Sequence, residues 1–138
     1  MRRVEITVTT RAKEEVLDIT EAVAEAVRGL GMRDGFVLLF CPHTTAALAV
    51  NEVADPDVRE DFGQALAGMV PRIPFHHAEG NSPAHVRAAL LGPSLLLPVE
   101  GGQLRVGTWQ GVYFCEFDGP RRRTVWVYAV VEGTRISG

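Results

Sequence analysis

Lysine and asparagine are nearly missing from this chain: thirteen arginines stand against one lysine, Lys13, and asparagine occurs only at positions 51 and 81. A GC-rich genome, or avoidance of thermolabile amides, produces such a composition. The two asparagines that remain, in Asn51-Glu52 and Glu79-Gly80-Asn81, both lie close to the histidines, which marks these segments as parts of one site. Cysteine is scarce too. Cys41 and Cys115 are too few for a disulfide framework, and both sit in apolar, strand-like runs where a buried free thiol is the ordinary outcome. No apolar run approaches the roughly 20 residues that a spanning helix needs, and Met1-Arg2-Arg3-Val4-Glu5 lacks the apolar core of a signal peptide. A cytoplasmic protein with no membrane partner is expected. A formal net charge of -3 supplies no global basic field, which argues against nucleic acid as a partner; the one dense basic run is Arg121-Arg122-Arg123.

What is present fits one compact domain over residues 1–138, since a chain of 138 residues with 46% hydrophobic content builds one core and has no room for a second. Val4, Ile6 and Val8 alternate with polar residues and a short run around Val16-Leu17 follows, so the spacing predicts an opening β-hairpin. A helix carrying Ile19, Val23, Val27 and Leu30 comes next, with Asp18 and Glu21 at capping-box spacing and Gly29 and Gly31 to end it. Gly35 to Cys41 is a buried strand, and Thr44 to Val50 is read as strand as well. Asp55-Pro56 starts a second helix through Val58, Phe62, Leu66 and Met69, which Pro71 stops. After a loop over 71–80, Asn81 or Ser82 caps a short helix that Gly92-Pro93 closes. Strands follow over Leu95 to Val99, Leu104 to Phe117 with a break at Gly107, and Thr124 to Val131. Strands at both ends with helices between predict an α+β fold, mostly antiparallel sheet or sandwich with two or three helices.

Chemistry concentrates at the histidines. All four, His43, His76, His77 and His85, fall within Cys41-Pro42-His43-Thr44-Thr45 and Phe75 to His85. Imidazoles beside a glutamate suit a metal site or acid–base work, although no tight motif of the HExxH kind is present. If Thr44 to Val50 continues the preceding strand, Cys41 and His43 share a face, Asn51 lies further along it and Glu52 points to the other side. Asp55 and Asp57 read as helix-terminal residues, which leaves Glu52 as the better functional carboxylate. Gly80-Asn81-Ser82-Pro83 leads into a helix whose N–H groups suit an anion, and Arg121 to Arg123 suit phosphate, unless these arginines simply face water. In Gly107-Thr108-Trp109-Gln110-Gly111 the glycines permit a tight turn, and Trp109 either stacks on a flat ring or packs in a core or a subunit interface.

Taken in order, His43-Thr44-Thr45, Asn51-Glu52, Asp55-Pro56-Asp57-Val58-Arg59, His77-Ala78-Glu79-Gly80-Asn81, His85, Gly107-Thr108-Trp109-Gln110 and Glu116-Phe117-Asp118-Gly119-Pro120-Arg121 resemble the YjbQ-like family, also called secondary thiamine-phosphate synthases. The resemblance spans nearly the whole chain. It implies a small α+β domain that assembles as a homotrimer, with a metal-binding pocket near a subunit interface. It implies a transferase activity that joins hydroxymethylpyrimidine diphosphate to a thiazole phosphate and releases pyrophosphate. The main enzymes of that reaction are TIM barrels, which 138 residues cannot form, so the activity is expected as a side reaction of another role.

Carried over by motif, His43, His77 and His85 are candidate ligands of a divalent metal, zinc or magnesium. Glu52, Glu116 and Trp109 are the candidate catalytic residues, the last two supporting a cationic methylene carbon; Asn51, Glu79, Asn81, Gln110 and Arg121 are the candidate binding residues for a small phosphorylated heterocycle. Two other readings stand beside this one: a metal-dependent hydrolase, and a trimer that binds metal or a phosphometabolite without catalysis.

Overall fold

The computed structural model describes residues 1–131. Eight strands and three helices follow one another as β1 Arg3–Thr9, β2 Glu15–Asp18, α1 Thr20–Leu30, β3 Gly35–Phe40, β4 Ala46–Glu52, α2 Pro56–Gly68, α3 Ser82–Leu91, β5 Ser94–Glu100, β6 Gln103–Leu104, β7 Gln110–Glu116 and β8 Arg122–Val131. Every strand pairing is antiparallel. One sheet runs β1-β8-β3-β5-β6 and a smaller one β2-β7-β4, which is the expected α+β architecture.

The small sheet is the middle layer. Along β7, Val112 and Phe114 enter a core with Val37, Leu39, Val125 and Val127 of the large sheet and Val23 and Val27 of α1. The alternate residues Tyr113 and Cys115 point the other way, into a second core with Leu66 of α2 and Ala84 and Ala88 of α3. Strand β7 is thus buried on both faces, which explains its continuous apolar run.

The opening hairpin does not form. β1 pairs with β8 and β2 with β7, so residues 10–14 carry the chain from one sheet to the other. What diverts it is polar: the Thr10 hydroxyl is buried and donates to Glu116, while the Arg121 N–H donates to it. Gly119 makes the crossing possible, because a Cβ there would collide with the Ala12 carbonyl. A second expectation fails for the same kind of reason. β4 does not continue the strand before His43; residues 41–45 cross between the sheets, so the face-sharing inferred for Cys41, His43 and Asn51 does not hold.

Helix boundaries fall close to those expected, with different capping. Asp55 caps α2 by accepting the Asp57 N–H, and Gly31 ends α1 in the left-handed conformation. The capping box of α1 is absent: the Asp18 carboxylate accepts the N–H and hydroxyl of Thr20, and Glu21 pairs with Arg28 at 3.3 Å. Between β6 and β7 the break covers residues 105–109 rather than Gly107 alone.

Candidate functional site

The register of β4 on β7 sorts the candidate residues into two groups. Ala46 lies opposite Glu116 and Glu52 opposite Gln110. Seven residues of extended strand separate these ends by about 20 Å. Glu116, His43 and the turn after β7 belong to one end, while Asn51, Glu52, Trp109 and Gln110 belong to the other. One chain therefore does not bring the three candidate catalytic residues Glu52, Glu116 and Trp109 together.

At the first end the foundation is a buried ion pair. Glu116 is 1% exposed and Arg123 4%. Glu116 Oε1 accepts from Arg123 Nε and from Thr10 Oγ1, each at 2.8 Å, and Oε2 accepts from Arg123 Nη2 and the Asp118 N–H. Burial pushes the Glu116 carboxyl up, but the hydrogen bonds from Arg123, Asp118 and Thr10 outweigh it and hold it below its ordinary 4.5. With every oxygen engaged, Glu116 positions the β7–β8 turn. Arg123, in the run where arginines facing water were an alternative, faces inward and also donates to Thr45 Oγ1 at 2.8 Å.

Beyond this pair the turn carries an open network. Asp118 Oδ2 accepts from Asn81 Nδ2 and from Arg121 Nη2, both at 2.9 Å, and Arg121 Nε reaches the Asp118 carbonyl at 2.7 Å. The Asn81 hydrogen bond, then the Arg121 charge, holds the Asp118 carboxyl below its ordinary value. Asn81 occupies the N-cap position of α3 but gives up the cap, and its Oδ1 is buried without a partner among the described residues. Because the Asp118 carboxylate can only accept, Asn81 must turn its NH₂ towards it, which fixes the amide oxygen as the orphan. One turn into α3 stands His85, its ring 5.5 Å from that of His77 and edge-on to it; His77 Nε2 is 3.8 Å from Glu79.

His43 joins this end through a different contact. Its Nε2 accepts the Thr124 N–H at 3.0 Å, and burial, then the Arg123 charge, push the imidazole below its ordinary 6.5. It is a neutral ring whose Nε2 lone pair is already used. Among the described residues no group of three or more His, Cys, Asp and Glu side chains is placed to hold a metal ion. His76 is exposed. Cys41 and Cys115 are buried thiols pushed up by desolvation to about 11 and about 12, and take no part.

At the second end, Gly107 to Gln110 form a tight turn. The Gln110 N–H donates to the Gly107 carbonyl at 3.0 Å, and Gln110 Oε1 accepts the Gly107 N–H at 2.8 Å. Gln110 is thereby spent on closing the turn, which lifts Trp109 to 64% exposure. Asn51 Oδ1 accepts the Glu52 N–H at 2.7 Å, and the Tyr113 hydroxyl donates to the Glu52 carbonyl, leaving the Glu52 carboxylate uncommitted. Sequence reasoning passed over Thr10, named Thr45 and Asp118 only within longer motifs, and read Arg123 as a phosphate-binding or water-facing arginine. Arg123 alone carried a signal, its period-2 alignment with Val125, Val127 and Ala129 on the core face of β8.

Related sequences and the same fold recur in other proteins. A family profile described as UPF0047 protein YjbQ-like matches residues 4–132. The UPF0047 protein YugU of Bacillus subtilis is 43% identical over 120 residues, covering 86% of this chain and 91% of the relative. UPF0047 protein MJ1081 of Methanocaldococcus jannaschii is 42% identical over 119 residues, covering 86% of both. A crystal structure of a yjbq/upf0047-family protein from Clostridium acetobutylicum has a TM-score of 0.87 at 45% identity, covering 92% of this chain and 99% of the other. A solved protein of Aeropyrum pernix K1 gives a TM-score of 0.89 at 39% identity, covering 96% and 100%. Sequence agreement at this level over nearly the full length, with the sheets superposing as well, places the chain in the UPF0047, YjbQ-like family.

Proposed function

We propose that this protein is an enzyme acting on a small phosphorylated heterocycle at the end of the fold where α3 begins, with thiamine-phosphate synthase-like transfer as its reaction. The observation that carries this reading is the convergence of His77, His85, Arg121 and the uncapped start of α3 around the Asn81–Asp118 pair. Imidazoles, a guanidinium and the Ser82 N–H suit an anion, while Pro83 has no N–H and those of Ala84 and His85 already donate to the Asn81 carbonyl; no acidic side chain stands in the first turn of α3 to compete with it. In the reaction the bond from the pyrimidine methylene carbon to the diphosphate oxygen breaks, and the thiazole nitrogen supplies the electron pair for the new C–N bond. The basic groups would stabilise the leaving pyrophosphate. The described residues of one chain do not make a cage for zinc or magnesium, and no step is assigned to a metal.

The reading includes self-association, as a homotrimer by family resemblance. Two observations support association. The outer face of the large sheet carries Phe36, Leu38 and Phe40 of β3 beside Leu96 of β5 and Trp126 and Tyr128 of β8, with Leu96 59% exposed. The candidate catalytic groups, split between two ends of one chain, could meet only between copies, as in a ring built from head-to-tail interfaces. No described helix is long and apolar enough to cross a membrane. A cytoplasmic setting fits the two free thiols.

A coupled assay of the purified protein with both substrates tests the activity. Pyrophosphate release dependent on both, and lost in His77→Ala, is expected; no product above background, with or without added zinc or magnesium, would overturn it.

A further inference from the structure

A cleft of about 560 Å³, lined by no histidine, opens between α2, the start of β2 and α3, on the other side of Glu116 and Phe117. Its volume falls in the range of small-molecule sites. Gly63 of α2 closes on Val16 of β2, where a Cβ would come within 3.2 Å of the valine, so the helix rests on the strand there. Phe117 and Val16 give the cleft an apolar part.

The charged lining is specific. Arg87, buried at 8% exposure, is fixed on three sides: Nη1 pairs with Glu14, Nε reaches the Pro83 carbonyl at 3.4 Å, and its guanidinium lies 5.3 Å from the Phe117 ring centre. Its Nη2 makes no hydrogen bond among the described residues and is not among the buried unpartnered atoms, so that edge stays open as a preorganised anion donor. Arg59 on α2 has no ion-pair partner among the described residues and supplies a second donor. Glu60 is likewise without an ion-pair partner among the described residues, and Glu15 accepts only the Arg11 N–H, at 3.1 Å. Glu116 also lines the cleft but is neutralised by Arg123 behind it; with Glu14 and Arg87 cancelling as well, Arg59 stands against Glu15 and Glu60, which leaves one negative charge in excess.

We propose that this cleft binds a small zwitterion of net positive charge, with the chemistry of a basic α-amino acid. Its carboxylate takes Arg59 and the open edge of Arg87, its two cationic nitrogens take Glu15 and Glu60, and its aliphatic stem lies along Val16. A monoanionic amino acid leaves one carboxylate unmet and adds negative charge to a cleft that already has an excess of it. A neutral zwitterion leaves one of them unmet.

Calorimetric titration of the intact protein with L-lysine, L-arginine, L-norleucine and L-glutamate tests this. L-lysine or L-arginine is expected to bind saturably and at least about tenfold more tightly than norleucine, a difference of about 1.4 kcal/mol, with no saturable heat from glutamate. Arg59→Ala should weaken that binding about tenfold, and Glu60→Gln should erase the preference over norleucine. Neither side chain belongs to either core, and an unchanged melting temperature confirms that the variants fold. His77→Ala should leave the binding intact, so this site and the transferase reading succeed or fail separately. The proposal is overturned by the absence of saturable heat with either basic amino acid at millimolar concentration, by glutamate binding equally well, or by full affinity in folded Arg59→Ala.

Discussion

Arg123 grips both carboxylate oxygens of Glu116, Nε on Oε1 at 2.8 Å and Nη2 on Oε2, inside a fold that buries both side chains. Desolvation offsets much of the attraction in such a pair, so its consequence lies in geometry. Thr10 from the first crossover and Thr45 from the second both bond to it, which ties the two sheets together at the end where His43 and Asn81 stand.

Removing one partner should therefore cost far more than removing a surface ion pair. Arg123→Ala is expected to lose about 3–5 kcal/mol in urea unfolding, because it strands a buried carboxylate. The paired replacement Glu116→Gln with Arg123→Met should lose less than the single change. A loss below about 1 kcal/mol in Arg123→Ala, the value of an exposed pair, would show that the ion pair is not buried in solution.

Acid should act through the same carboxylate. The folded-state pKa of Glu116 is depressed below its ordinary 4.5, so the stability it contributes is complete above that value and is lost as pH falls through the folded pKa. Asp118, also depressed, adds to the loss below its ordinary 3.8. Melting temperatures followed by circular dichroism from pH 6 to pH 3 should fall more steeply in the parent than in the Glu116→Gln, Arg123→Met variant. Parallel curves would remove Glu116 from the acid response.

Element positions were legible because local chemistry sets them. Asp55-Pro56 and Gly31 mark helix ends whatever the rest of the chain does. Pairing was not, since β1 meets β8 more than a hundred positions away, and the polar crossover at Thr10 that forbids the hairpin looks like any surface turn in sequence. The site shows the same division. Its motif residues could be named from the chain, but not that β4 holds Glu52 and Glu116 at opposite ends, because that depends on a register fixed by burial of β7 on both faces. Nor does a run of three arginines reveal that only Arg123 turns inward, until its strand register is known.

The outer face of the large sheet should govern assembly. Phe36→Glu with Leu96→Arg changes two exposed side chains, at 44% and 59%, and leaves both cores untouched. Light scattering should then give the 15.0 kDa monomer, while the unmodified chain gives a multiple of it. An unmodified chain already at 15.0 kDa would remove self-association from the proposed function.

Trp109 provides the most direct test that two copies share one site. Its exposure predicts that Trp109→Ala changes stability by no more than about 0.5 kcal/mol, as for other surface changes. If the Trp109 end of one copy completes the His77 end of another, Trp109→Ala and His77→Ala should each abolish turnover alone. Unfolded together and refolded as a mixture, they should recover a measurable fraction, because some interfaces then join an intact His77 end to an intact Trp109 end. Two inactive variants that stay inactive when mixed, with the assembly intact by light scattering, would place both groups in the same copy's site or outside the chemistry. Full activity in Trp109→Ala would remove that side chain from the reaction.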